Sequence, residues 1–488
     1  MKNKPIYCAI AAFLAAQTMY GGEDYSLNLR SDDLQIPEVS IFDNPEIAKL
    51  SDENFAASGA EMQSSSAEVS QENPAHEGVK LTILPYPFYT NVFKFAVGAF
   101  ASLKGFPQES SFLKVGGFVS TNGSVLGYLQ YEELQIPYFE RIAIRPDLFF
   151  GKIGKIRNYS EMPYPFNYIL PQGDYPVTAG TNGSDIDDYF EIEGTYQWYE
   201  GTLSYLLPIG WGKDHVTTDP ILEDGILMSG ETGGYSLNPF KSGRTFLKAL
   251  VSYRRLDMDY MGYDITQIAS GVEWIFNVEN VDYIWNPTRG YNFNFSYFMD
   301  WPALGGTSKF DVLKADISAY VPLSEPRDKT PTVLAFNFKT THTLSWNDYD
   351  IVSMNVGGHQ FPETKEYHRP PNFIGAFLGG PIKMRGYTEY RFYDRSSIYY
   401  SMEYRQITDW NPLNSFKLTR GIVDWFEYAF FGELGRVAPD WNFADFHKDM
   451  KWDIGAGLRV FMNGFLVRVD LSYGGEGFLV QMYYNYPF

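Results

Sequence analysis

The sequence predicts an all-β protein, a 16-stranded antiparallel transmembrane β-barrel. Three observations carry that fold class. From Val79 to Phe488 the chain reads as short segments of alternating apolar and polar residues, separated by turn residues. Aromatic side chains make up 17% of the chain, yet the mean hydropathy is only −0.26. That balance is expected where every second residue faces lipid and aromatic girdles flank the apolar band. No run of about 18 apolar residues exists, which removes helical membrane spans.

The elements follow in order. Lys2 and Lys4 precede a short apolar stretch, Ile6–Ala16, too short to cross a bilayer, so residues 1–22 read as a secretory signal peptide. Cys8 is the single cysteine and lies inside that stretch, which excludes a disulfide framework. Residues 23–78 are acidic, rich in Ser and Ala, and without periodicity. They read as a disordered linker that cannot bury enough apolar surface to offset chain entropy. A solvated spacer is the plain reading, and a segment that reaches into the barrel lumen is the sharper one. The remainder, 79–488, is the barrel.

Alternation places its strands at 79–90, 92–104, 111–120, 124–134, 140–151, 190–208, 244–256, 266–277, 289–299, 310–322, 331–344, 392–407, 424–437, 450–462, 465–474 and 477–487. Pro85 and Pro87 demote the first to an edge or partial strand. The segment 190–208 reads either as one strand or as a hairpin turning at Glu200-Gly201. Face assignment separates a membrane barrel from a soluble sandwich. On 465–474, Phe465, Val467, Val469, Leu471 and Tyr473 oppose Arg468, Asp470 and Ser472; on 450–462, Trp452, Ile454, Leu458 and Val460 oppose Lys451, Asp453 and Arg459. Large apolar side chains suit lipid, and charges suit a polar lumen. Gly455 and Gly457 fall on the lumen side, where something packs closely against the wall. The long connections are 152–189, 209–243 and 345–391; the second falls on the side where such barrels usually have short turns.

Two motifs carry a resemblance. The chain ends on Val480, Met482, Tyr484, Tyr486 and Phe488 at alternate positions, which resembles the C-terminal assembly signal of bacterial outer-membrane barrels. The stretch Gly379–Tyr387 (GGPIKMRGY), followed by Arg391–Arg395 and a strand through Met402–Arg405, resembles the bacterial surface antigen superfamily. That superfamily comprises the BamA-type assembly factors and two-partner secretion transporters. Met384, Arg385, Gly386 and Tyr387 stand where the family has Val/Ile-Arg-Gly-Phe/Tyr in its sixth extracellular loop. Asn286–Gly290 and Tyr320–Leu323 are similar to the family's turn after the eighth strand and the end of its tenth.

The resemblance implies an inward-folded extracellular loop whose Arg385 pairs with a carboxylate on the thirteenth strand. Phe431–Gly435 (FGELG) matches that motif, with Glu433 in place of the usual Asp. Glu433 and Glu403 fall on polar strand faces, and planar carboxylates suit a guanidinium. Gly386 is expected to let the loop tip turn tightly. The family's periplasmic POTRA modules have no counterpart in 23–78, so the chain reads as a barrel-only member.

The function implied is insertion or translocation of outer-membrane components through a lateral seam and a loop-filled lumen, in the bacterial outer membrane. The implied partners are outer-membrane lipids, client outer-membrane proteins and the assembly machinery that inserts the barrel itself. No cofactor, metal or enzymatic activity is implied. His76, His215, His342, His359, His368 and His447 show no nucleophile or metal-ligand spacing, and Asp348 and Asp350 read as an acidic loop. With 39 basic against 59 acidic residues and a net charge of −20, nucleic acid is excluded as a main partner. The alternative function is a passive pore or structural barrel whose acidic lumen favours cations.

Overall fold

Alternation along the chain becomes one antiparallel sheet that curls on itself. The computed structural model describes residues 80–488 apart from 91, 109–110, 133, 160–178, 261–262, 307, 326–327, 357–358, 416–422 and 463–464. The expected signal peptide and acidic linker lie outside the described residues.

The staves are β1 (Lys80–Thr90), β2 (Lys94–Lys104), β3 (Phe112–Ser120), β4 (Val125–Glu132), β5 (Phe139–Asn158), β6 (Phe190–Leu206), β7 (Arg244–Tyr260) and β8 (Tyr263–Val281). The second half has β9 (Gly290–Asp300), β10 (Asp311–Pro322), β11 (Thr332–Thr343), β12 (Ser396–Thr408), β13 (Trp425–Ala438), β14 (Lys451–Met462), β15 (Phe465–Gly474) and β16 (Gly477–Tyr484). A short piece, Leu134–Ile136, continues the pairing of β4 with β5. Each strand pairs antiparallel with its neighbours in sequence. Between β1 and β16 no ladder forms among the described residues, so the 16-stranded barrel is nearly closed.

The pleat sorts the side chains. Phe430, Ile454, Leu471, Trp274 and Phe295 stand on the outside and are exposed, whereas Glu427, Glu433, Asp453, Arg459, Arg468 and Asp470 point inward and are buried. An apolar outer belt of this extent marks a surface made for lipid.

The structure settles one open alternative, shortens two expected strands and bears out one close approach, each for a local reason. The stretch 190–208 is one strand. Glu200 does not turn the chain; it accepts from Ser252 at 2.8 Å and from Arg254 at 2.7 Å, and Gly201 lies opposite Pro146 and Val251. Strand β12 starts at Ser396 rather than 392, because Phe392–Asp394 pair with Ala376–Leu378 inside the preceding loop. Strand β16 stops at Tyr484 rather than 487, because Asn485 has φ 59° and its carbonyl accepts from Arg468 Nε at 3.0 Å. The glycine on the lumen side of β14 has a definite neighbour: a Cβ on Gly455 would lie 2.2 Å from the Phe431 ring.

The long connection after β6 has no counterpart in the pattern of turns. It is held first by Asn280 of β8, whose side chain bonds Gly234 N–H at 3.0 Å, Ser242 Oγ at 2.7 Å and the Ser236 carbonyl at 2.6 Å. Its tip then reaches β13, where Trp425 Nε1 donates to the Gly225 carbonyl at 3.4 Å. Ile226 packs on Ile407, Trp425, Phe461 and Leu466. The segment therefore crosses the end of the barrel opposite to the Gly379–Tyr387 loop. Trp425→Ala should free the tip, because it removes the indole that bonds Gly225 and packs on Ile226. Cleavage within 221–229 by a soluble protease should then rise roughly tenfold while heat-modifiable gel mobility stays unchanged. Equal cleavage rates would show that the tip is held from elsewhere.

Candidate functional site

The connection between β11 and β12 starts as a hairpin (Tyr349–Val356 with His359–Tyr367) and then folds inward. Its tip is a local turn. Gly379 N–H donates to the Lys383 carbonyl at 3.0 Å and Tyr387 N–H to that of Met384 at 3.0 Å. Met384 carries the left-handed φ of 58°, and its fully buried side chain packs with Leu378, Tyr387, Phe392, Tyr399 and Val437. Gly435 on β13 leaves room for it, since a Cβ there would stand 3.0 Å from the Met384 sulfur. The turn thus spends its strained conformation at Met384. Gly386 is needed for another reason than the tight turn expected of it: a Cβ at that position would lie 2.5 Å from Asp453 Cβ on β14.

This turn delivers Arg385 into the lumen, where it is fully buried. Its Nε donates to Glu433 Oε1 at 2.9 Å, and its own backbone N–H donates to Glu433 Oε2 at 2.6 Å. Nη1 donates to Glu403 Oε1 at 3.1 Å and Asp470 Oδ2 at 3.3 Å. The guanidinium carbon lies 3.4 Å from the centre of the Phe431 ring. The Arg385 carbonyl accepts from Ser472 Oγ at 2.6 Å and Gln481 Nε2 at 2.9 Å. Tyr399 Oη completes Glu433 at 2.7 Å. Burial works against the Arg385 charge, but Glu433, Glu403 and Asp470 outweigh it and hold its pKa well above the ordinary arginine value.

The pairing continues down the lumen. Arg405 Nε donates to Glu403 Oε2 at 2.8 Å. Arg459 bonds Glu403 and donates through Nη1 to Glu427 Oε1 at 2.7 Å. Arg468 bonds Asp470 and the Pro381 carbonyl of the loop. Tyr486 Oη then reaches Glu427 Oε2 at 2.9 Å and Asn286 Oδ1 at 3.0 Å. The Arg405 guanidinium lies 4.3 Å from the Tyr486 ring centre and 4.9 Å from that of Phe488. Farther along the loop, Arg391 Nε donates to Glu476 at 2.7 Å and Nη1 to Ser184 Oγ at 2.8 Å. It ties the loop to the β15–β16 turn and to the connection after β5.

Of the residues singled out from sequence, Met384, Arg385, Gly386, Tyr387, Glu433 and Glu403 stand together. Tyr387 Oη donates to the Trp452 carbonyl at 3.2 Å and accepts from Gly475 N–H at 3.1 Å. The C-terminal set divides. Tyr484 is the last residue of β16, in register with Val467, whereas Tyr486 and Phe488 lie beyond the strand and turn inside, where Phe488 packs on Val281, Tyr320, Val333 and Ala335. They do not share one face as the alternation implied. Sequence reasoning did not assign Arg405, Arg459, Arg468, Asp470, Glu427 or Arg391 to the site. Five of these, all but Arg391, lie on strands whose inward faces were already identified, so a lumen arginine opposite a lumen carboxylate was the available signal. In the outer part of the loop, Asp350 pairs with Lys309 at 2.5 Å and His368 at 3.2 Å.

The architecture is that of an outer-membrane β-barrel with an arginine loop tied to its inner wall. Residues 246–475 match the Omp85 superfamily domain, so this part of the barrel is similar to that superfamily. No curated protein matches the chain. Similar solved structures include BamA from Haemophilus ducreyi lacking POTRA domains 1–3, at 13% identity and a TM-score of 0.45, covering 90% of this chain and 78% of that one. CdiB from Escherichia coli matches at 10% identity and a TM-score of 0.48, covering 83% of this chain and 61% of that one. CdiB from Acinetobacter baumannii matches at 11% identity and a TM-score of 0.42, covering 83% and 65%.

Arg385→Ala should leave three buried carboxylates short of a partner and cost about 3–5 kcal/mol. The heat-modifiable mobility transition should fall in temperature, and the loop should become open to protease. Arg385→Lys should recover only part of the loss, because an ammonium cannot serve Glu433, Glu403 and Asp470 with a planar fork.

Proposed function

We propose that this barrel aids the insertion or translocation of outer-membrane components by opening laterally between β1 and β16, while the loop carrying Arg385 fills the lumen. The observation that carries the reading is the seam. Every other neighbouring pair of staves shares a ladder, and this one shares none among the described residues. The register of β1 with β2 runs unbroken through Pro85 and Pro87. A proline is tolerated in a strand only where its missing donor faces away from the partner. The donors that β1 lacks therefore lie on the edge toward β16, which weakens closure there.

An opened seam exposes a strand edge, and an exposed edge can template an incoming strand through backbone hydrogen bonds. The expected partners are client outer-membrane proteins and the surrounding outer-membrane lipids. Tyr484, Tyr486 and Phe488, exposed before the barrel folds, would be read by the machinery that inserts it. Residues 1–22 would direct export and 23–78 would serve as an acidic spacer ahead of the barrel at 79–488. No cofactor and no bond chemistry enters the mechanism.

A disulfide engineered between β1 and β16 should block client assembly, with recovery on reduction. Outer-membrane proteomics after depletion of the protein identifies the clients on which to measure it. Unchanged assembly with the seam fully cross-linked would reject lateral opening.

A further inference from the structure

We infer that the outer wall over β10–β14 holds a seat for one lipid whose phosphate headgroup carries a net negative charge. The inference needs only that the barrel is embedded in a membrane, whatever its cargo. The seat is a depression of about 680 Å³ with an almost wholly apolar lining. Its floor is a row in register across five strands: Ala319, Phe336, Met402, Gly432 and Ile454. The hollow is at Gly432, where an added Cβ would meet only Ile454 Cγ2, at 4.0 Å. Met402, Leu434 and Ile454 around it are exposed at 52%, 45% and 56%, continuous with the apolar belt that faces lipid. A chain of methylenes is the occupant that this belt supplies.

The end of the depression toward the loops has a different chemistry. The connection after β13 folds onto the outer face. Asn442 caps a single helical turn, Phe443–Phe446, and Phe446 is fully buried against Ile398 and Ala438. This brings His447 to the Tyr400 hydroxyl, at 3.0 Å. Arg436 lies on the same outward face, two residues beyond Leu434. Its Nε and Nη1 are buried and have no hydrogen-bond partner among the described residues. Its nearest carboxylate, Asp449, is 3.9 Å away and almost fully exposed. Two guanidinium nitrogens buried without a close acceptor are costly, and a phosphate satisfies the planar fork with two parallel bonds. Four residues of strand separate Arg436 from Gly432, about 13 Å. That span suits a headgroup at the membrane surface with its acyl chain in the hollow.

The test uses the purified full chain in mild detergent, incubated with equal phosphatidylglycerol and phosphatidylcholine and read by native mass spectrometry. Wild type should retain one phosphatidylglycerol in roughly tenfold preference, the worth of a charge-assisted pair. Arg436→Gln should lose the preference while still retaining lipid. Gly432→Phe fills the hollow without a backbone clash and should lose both lipids, with heat-modifiable mobility unchanged as the control for folding. Two results would overturn the seat: wild type keeping both lipids equally, or a folded Gly432→Phe keeping as much lipid as wild type.

Discussion

A guanidinium with no access to water cannot remain charged unless carboxylates surround it, and the rest of the lumen is organised by that demand. Arg385 draws Glu403 from β12, Glu433 from β13 and Asp470 from β15 to one point. Three staves must therefore be in register before the charge is satisfied. Desolvation of such a group costs several kcal/mol, which only good geometry offsets. The supporting choices follow from this. Phe431 lies flat under the guanidinium, Gly455 on β14 leaves space for that ring, and Gly386 lets the loop backbone meet Asp453. Each glycine is set by the approach of a neighbour rather than by its own φ.

The same network links the two ends of the barrel. Arg385 and Arg459 share Glu403, Arg459 and Tyr486 share Glu427, and Arg405 covers both Tyr486 and Phe488. The C-terminal residues are thus held by the arginines that also hold the loop's partners. The Trp425–Phe461 stack beside Tyr486 meets the tip of the connection after β6. At the seam this produces an asymmetry. The β16 side is tied inward through Arg468, Asn485 and the tail, whereas β1 is joined by a ladder to β2 alone. If the seam opens, β1 is the edge with the fewer ties.

Much of this was legible because a barrel writes its faces into every second residue. The sixteen staves, the inward carboxylates Glu403 and Glu433 and the inward loop were readable from period 2 and one motif. What was not readable depends on tertiary competition. Glu200-Gly201 looks like a turn until Arg254 claims the carboxylate. Phe392–Asp394 looks like the start of β12 until Ala376–Leu378 pair with it. Tyr486 and Phe488 continue the alternation of β16, yet Asn485 turns them toward two arginines that alternation cannot rank above lipid. The crossing of 207–243 rests on one asparagine and one tryptophan, which carry no periodic signal.

The net charge of −20 takes on a different meaning from these contacts. Residues 1–79 hold 13 acidic and 4 basic residues, so a large share of the excess precedes the barrel. The inward carboxylates, Glu403 and Glu433 among them, contribute little to the excess because cations face them. Around Arg385, the five carboxylates Glu403, Glu427, Glu433, Asp453 and Asp470 face the four guanidinium groups of Arg385, Arg405, Arg459 and Arg468. Elsewhere on the inner wall, Glu273 meets Lys314, Glu279 meets Arg244 and Lys248, and Asp316 meets Lys339. An inner surface so nearly neutralised, and bonded across its width, offers a permeant cation few open carboxylates. The acidic excess of the described chain lies instead in its connections, at residues such as Asp185, Asp214, Asp224 and Asp449. The charge thus argues against the passive cation pore that it first seemed to support, and leaves the interior as a set of ion pairs whose work is to hold the loop and the tail in place.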